Sequence, residues 1–340
     1  MKFLQHKNIK IFVNYFLGPL LFAWLSYSIY RQVKGQPDLR ESWLTIRNSM
    51  RSPLVWNFLA VVLLMFVNWA IEALKWKLTI QKIQRVSFFT AYKAVLSGLS
   101  FSVTTPNRIG EYLGRILYME EGKRVDAVSL TIVGSISQLL ITLAMGLAGL
   151  IIIMPELVGS QLVSSLWLKV ILYGVITALV LLTLFYFRLP WLVRWIDKFP
   201  ASQKWVHWIR ALEDCRAELL LKLLALSAFR FIVFTIQYLL LFRLFAVHTT
   251  AWDGFWAVNV CFLVLAIIPT FAIAEVAQRG YIAKTIVGLF STNVTGILFA
   301  TVSIWFINLV IPAIIGSVLI LGIRRIIRGK KSEMSKKDTN

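Results

Sequence analysis

Long stretches of this chain run for 18 residues or more without a single charge, among them "IFVNYFLGPLLFAWLSYSIY" (11–30), "LVWNFLAVVLLMFVNWAI" (54–71), "AVSLTIVGSISQLLITLAMGLAGLIIIM" (127–154), "VILYGVITALVLLTLFYF" (170–187) and "VTGILFATVSIWFINLVIPAIIGSVLILGI" (294–323). At a rise of about 1.5 Å per residue, such runs are long enough to cross a hydrocarbon layer of about 30 Å. A helix satisfies every backbone polar group within the segment, which a lipid environment demands. The runs therefore predict an all-α, polytopic integral membrane protein. Composition agrees: 58% of residues are hydrophobic and only 15% are charged, against roughly a quarter charged in soluble domains. The first run follows a basic start, as a signal peptide does, but it ends in the bulky "AWLSYSIYRQ", with no small-residue cleavage site, so it is expected to remain as a helix.

Other chemistries lack their residues. The two cysteines, Cys215 and Cys261, form neither a disulfide framework nor a CxxC pair. The histidines His6, His207 and His248 are scattered, so no metal site or cofactor is expected. No phosphate-binding G-x-x-x-x-G-K-[ST] loop and no G-x-S-x-G elbow occurs. The formal charge of +20 would suggest nucleic acid in a soluble protein, but here the cations cluster between apolar runs, as in cytoplasmic loops facing anionic lipid, and no nucleic-acid partner is expected.

Those cations also orient the chain. Lys2, Lys7 and Lys10 at one end, and Arg324, Arg325, Arg328, Lys330 and Lys331 at the other, predict a cell-membrane protein with both termini in the cytoplasm. The loops 155–165 and 246–254 carry no Lys or Arg and are expected outside. The loop 31–53 is basic yet falls outside by alternation, and "ESWLTIRNSM" within it has the character of an interfacial amphipathic helix. The Trp- and base-rich "WLVRWIDKFPASQKWVHWIRALEDCR" (191–216) reads as an interfacial joint. The chain thus divides into a first transmembrane half (1–187), a cytoplasmic amphipathic linker (188–218), a second half (219–325) and a basic tail (326–340). Each half has the same order of parts. A spanning helix (54–74; 219–245) precedes a short apolar stretch (86–104; 252–268), then a proline and a glutamate (Pro106 and Glu111; Pro269 and Glu275), then a long span. By loop charge the first helices of the halves run in opposite directions. About 6–8 spans plus two re-entrant or broken helices, related as an inverted repeat, are therefore expected, with the paired breaks pointing to a central site.

The stretch "SVTTPNRIGEYLGR" (102–115) is the first of these breaks. Thr105 is a good N-cap and Pro106 suits the first turn of a helix, where its missing N–H costs nothing. On such a helix Arg108, Glu111 and Arg115 share a face. The plainer alternative is a solvated loop face. Against it stand the second copy, with Glu275, and Arg230 in the middle of "LLALSAFRFIVFTIQYLLL". An Arg at that depth costs at least about 2.5 kcal/mol and needs a partner, for which Glu275 or Glu111 is available. Gln138, Gln237, Asn68 and Asn308 are candidates for hydrogen bonds between helices.

"TPNRIGEYLGR" resembles the T-P-G-R-I-G-E-x-x-R signature of the lysylphosphatidylglycerol synthase transmembrane (flippase-like) family. "PTFAIAE" is similar to its second P-x-x-x-G-x-G-x-x-E element, with Ala272 and Ala274 where glycines are usual, and Asn107 replacing a glycine of the first. The resemblance spans roughly residues 11–325. It implies translocation of lipid between leaflets, or lipid handling in envelope biogenesis beside lipid-biosynthesis enzymes. The lysyl-transfer domain of the synthases has no counterpart in the short tail, so that activity is not expected. The resulting expectation is a lipid translocase that binds a phosphate-bearing headgroup through Thr105, Pro106, Arg108, Glu111, Arg115, Arg230 and Glu275. A membrane-embedded transferase acting on lipid-linked groups, with Glu111 or Glu275 as base, and a non-transporting accessory subunit are the alternatives.

Overall fold

In the computed structural model the described residues are 44, 47–48, 51–103, 105, 109–191, 193, 210–268 and 275–321. Several expectations lie outside them: the first apolar run (11–30), most of the 191–216 joint, the basic tail, and Pro106, Asn107, Arg108, Pro269, Ala272 and Ala274. Of "ESWLTIRNSM", Leu44, Arg47 and Asn48 are described, and all three are helical and exposed.

All regular structure among the described residues is helical. The first half contains α1 (Val55–Ile80), α2 (Phe88–Ser102), α3 (Gly110–Ile116), α4 (Arg124–Ile152), the short α5 (Met154–Gly159) and α6 (Ser165–Phe187). The second contains α7 (Ala217–Leu244), α8 (Ala251–Ile267), α9 (Glu275–Val287) and α10, which begins at Val294 and continues through a π turn (Phe306–Val310) to Leu321. Five of these segments are long and apolar enough to cross a membrane: α1, the helical stretch Glu121–Ile152 containing α4, α6, α7 and α10. The protein is a multi-pass membrane protein.

Local chemistry sets the boundaries. Ser87 caps α2 by accepting from the Thr90 N–H (3.1 Å), and Thr250 caps α8 by accepting from the Asp253 N–H (3.0 Å) while its hydroxyl meets the Asp253 carboxylate (2.7 Å). Asn293 caps α10 through the Gly296 N–H (2.9 Å), and its amide also donates to the Phe245 and Ala246 carbonyls at 3.1 and 2.9 Å. That one side chain starts α10 and ties it to the end of α7. α6 is apolar all round and exposes Trp167, Tyr173, Leu181 and Leu184, as a lipid-facing helix does.

Matching helices of the two halves lie against each other head to tail. Gln237 of α7 donates to the Val61 carbonyl of α1 (2.8 Å), whereas Asn68, seven residues further along α1, meets Arg230, seven residues back on α7 (2.9 Å). The pair is therefore antiparallel. The second contact between halves repeats in swapped form. A Cβ on Gly146 of α4 would come within 2.4 Å of Leu263 of α8, and one on Gly316 of α10 within 1.9 Å of the Leu96 carbonyl of α2. Each short helix thus packs on the long span of the opposite half, backbone close to backbone, where glycine permits it.

α2 and α3 form a tight hairpin. A Cβ on Gly114 would lie 2.4 Å from the Gly98 Cα, and one on Gly110 would lie 2.2 Å from the Phe101 carbonyl oxygen. Both glycines of "GEYLG" face α2, so Glu111 and Arg115, each one position further on, are turned along the edge of that contact.

Candidate functional site

Glu72 is the centre of the polar interior. It follows the uncharged part of α1, eight residues before the helix ends. α1 is ~39 Å long against a hydrocarbon layer of about 30 Å, so a centred helix keeps Glu72 several ångströms inside the apolar zone. Three cations meet its carboxylate. Arg115 Nη2 lies 2.9 Å from Oε1, Lys75 Nζ 3.3 Å from Oε2, and Arg230 Nη1 3.3 Å from Oε2. Arg115 also pairs with Glu111 one turn back on α3. The side chains of Lys75 and Arg115 are 2% and 4% exposed, so these pairs are not screened surface bridges, whereas Glu111, at 24%, is the most open member.

Arg230 enters from the middle of α7. Its Nε donates to Asn68 Oδ1 (2.9 Å) and its Nη1 to Gln138 Oε1 (3.3 Å). Its guanidinium lies 4.9 Å from the Trp69 ring centre and 5.5 Å from that of Phe234, within cation–π range. Asn68 in turn donates to Asn308 Oδ1 (3.1 Å). The π turn explains how Asn308 is presented. Pro312, four residues after Asn308, has no N–H to offer the Asn308 carbonyl, which accepts from the Trp69 indole N–H at 3.2 Å. α1, α3, α4, α7 and α10 thus converge on one connected set of side chains.

Within that set Lys75, Arg115 and Arg230 face two carboxylates, Glu72 and Glu111, leaving one positive charge in excess. Lys75 Nζ and Glu72 Oε2 meet only in their 3.3 Å ion pair, and the buried Arg115 Nε makes no hydrogen bond among the described residues. A buried donor of that kind is costly unless a ligand meets it.

A second pair sits on α9. Arg279 contacts the Glu275 carboxylate through Nη2 (2.8 Å) and Nε (3.0 Å), and it interacts with Tyr238 of α7, which also interacts with Thr301 of α10. Glu275–Arg279 repeats the four-residue spacing of Glu111–Arg115. Arg230, Phe234 and Tyr238 fall at every fourth residue of α7, so one helix face reaches both groups, about 12 Å apart.

The structure thus brings together Glu111, Arg115 and Arg230 and puts Glu275 in the matching group. Thr105 is not the N-cap it was expected to be: the residue before α3 is Ile109, which makes no side-chain cap, while Thr105 Oγ1 accepts from the N–H of Gly110, five residues on, at 2.7 Å. Pro106 and Arg108 lie outside the described residues. Another expectation is corrected. The carboxylate that meets Arg230 is Glu72, where Glu275 or Glu111 was expected. The antiparallel α1–α7 contact puts Glu72 across from Arg230, while Glu275 opens α9 and binds its own Arg279. Glu72, Lys75 and Arg279 were missed. Glu72 and Lys75 directly follow the uncharged run and read as its polar border; "IEALKWKL", an acid and a base three apart on a still apolar helix, was the available signal.

A search of curated proteins finds no match to this sequence. The sequence profile of the lysylphosphatidylglycerol synthase TM region, in contrast, matches residues 15–316, spanning the α2–α3 hairpin, α8, α9 and the helices that carry the buried charges, and the chain belongs to that family.

Proposed function

We propose that the protein is a membrane lipid translocase that binds a phosphate-bearing headgroup at the Lys75–Arg115–Arg230 cluster and passes it between leaflets. The single observation that carries this reading is the convergence of those three cations on one point, with an excess positive charge and, in Arg115 Nε, a buried donor that meets no acceptor among the described residues. Phosphate offers several acceptor oxygens and a negative charge, and arginine binds it in a planar fork. Glu111, at the open side, orients Arg115 and is placed to meet a headgroup ammonium. Thr105 holds the first residue of α3, and the family resemblance assigns Pro106 and Arg108 to headgroup binding as well. Glu275 with Arg279 offers a second polar stop on the path. Membrane lipids are the partners in this reading, the cell membrane its location and the cytoplasm the side of both termini. The halves 1–187 and 219–325, joined by 188–218, are its two moving bodies.

The test is leaflet exchange of fluorescent phosphatidylglycerol in phosphatidylcholine proteoliposomes. The native protein is expected to exchange the probe well above protein-free vesicles. Arg115→Gln and Glu111→Gln are each expected to slow exchange by about ten- to a hundredfold, since a charge-assisted hydrogen bond is worth about 1.5–3 kcal/mol. Exchange no faster than in empty vesicles would remove the reading.

A further inference from the structure

We infer that Glu72 is a resident anion which the lipid phosphate displaces, and that it takes up a proton as it leaves, so that headgroup binding is coupled to protonation. The inference rests on the phosphate-binding reading above. Its basis is the position of the carboxylate. All three cations, Lys75 and Arg115 buried and Arg230 partly so, aim at Glu72, within 2.9–3.3 Å of its two oxygens. The place where a phosphate would receive the most donors is therefore already filled by an anion of similar shape. Glu72 reaches it on a side chain whose torsions let the carboxylate swing away while α1 stays fixed by Asn68 and Trp69.

The charge state of Glu72 is set by the groups that face it. Lys75 comes from its own helix, Arg115 from α3 with Glu111 behind it, and Arg230 from α7. α4 and α10 bring the neutral Gln138 and Asn308. On α2, Lys93 is exposed, and Ser97 hydrogen-bonds the Tyr118 hydroxyl at 2.9 Å. Inside the cradle three positive neighbours face Glu72. Outside it, with those cations turned to phosphate, the same group sits in an apolar interior beside a new anion, and both effects favour the protonated acid. The balance closes. Solvent supplies one proton, one Glu72 oxygen receives it, the phosphate monoanion replaces the carboxylate, and the charge of the cluster is unchanged. Linkage requires the converse too: protonation must raise affinity for the headgroup.

The experiment uses the purified full chain in weakly buffered detergent solution with a pH-indicating dye, titrated with dihexanoyl phosphatidylglycerol while calorimetry records binding. The expected result is uptake of close to one proton per lipid bound at pH 7. Affinity should weaken about tenfold for each unit of pH rise, the slope of a one-proton linkage. Glu72→Gln is expected to bind the lipid with no proton uptake and a flat pH profile between 6 and 8. Lipid binding to the native protein without proton uptake overturns the inference and leaves the phosphate site standing. Absence of binding overturns both. Because the native protein alone decides between these outcomes, misfolding of Glu72→Gln would not rescue the idea; unchanged proton uptake in a folded Glu72→Gln would refute it.

Discussion

At the scale of single residues, the buried charges act as a network rather than as pairs. Arg230 has a carboxylate, two amide oxygens and two aromatic rings around one guanidinium. Removing one partner leaves the rest of a buried ion without compensation, which costs more than the contact itself is worth. Glu72→Leu is therefore expected to destabilise the protein by about 3–5 kcal/mol, and Glu72→Leu with Arg230→Leu by less than the sum of the single changes. Thermal unfolding of the four members of that cycle in detergent checks it; strict additivity would mean that the two groups are energetically independent. Arg230 and Glu111 were legible in the sequence because a charge within an apolar span, or behind a proline, has no ordinary reason to be there. Glu72 was not, because an acid next to a lysine at the edge of an apolar run is also how a helix meets water. Only the third dimension, with Arg230 arriving from another helix, separates the two cases.

At the scale of elements, most of the fold could be read directly. The spans expected at 54–74, 127–154, 170–187, 219–245 and 294–323 are the helices Val55–Ile80, Arg124–Ile152, Ser165–Phe187, Ala217–Leu244 and Val294–Leu321, shifted by a few residues at their ends. Length and charge patterning suffice there, because lipid punishes exceptions. What patterning does not carry is contact, and the α2–α3 hairpin shows why. Its sequence mark is two glycines four apart, which is informative only once Gly98 is known to lie opposite. With a Cβ on Gly114 2.4 Å from the Gly98 Cα, any side chain there forces the hairpin open. Gly114→Val is expected to lower the unfolding midpoint and to abolish lipid exchange by displacing Arg115. Gly122→Ala is the control, since a Cβ there meets nothing within 4 Å. Equal effects of the two would show that the glycine contact does not hold Arg115. Pro312 makes a similar case. Pro312→Ala restores an N–H that competes for the Asn308 carbonyl, so Trp69 is expected to lose its indole partner, read as a shift of its emission against Trp69→Phe.

At the scale of the whole molecule, the antiparallel meeting of α1 with α7 and the swapped packing of α2 on α10 and α8 on α4 make the two halves inverted counterparts. The order of apolar lengths along the sequence leads to that expectation. The inequality of the two sites was not foretold: the first half places Glu72, a full anion, against Arg115, whereas the second places Tyr238, a neutral phenol, beside Arg279. In a strictly symmetric carrier, matched substitutions in the two hairpins would have matched effects. Here they should differ in kind. Arg115→Gln frees a carboxylate from one of its three cations and removes a donor from the three-cation cluster, so it is expected to weaken headgroup binding itself. Arg279→Gln leaves that cluster complete and removes only the partner of Glu275, so binding should persist while exchange slows by about tenfold or more, the scale of one lost charged hydrogen bond. The measurement is calorimetric binding of dihexanoyl phosphatidylglycerol beside the rate of leaflet exchange, for each variant. Loss of binding in both would place the headgroup between the two hairpins at once. Loss of neither binding nor exchange in Arg279→Gln would reduce the second pair to a packing contact and leave the first hairpin to carry the headgroup alone.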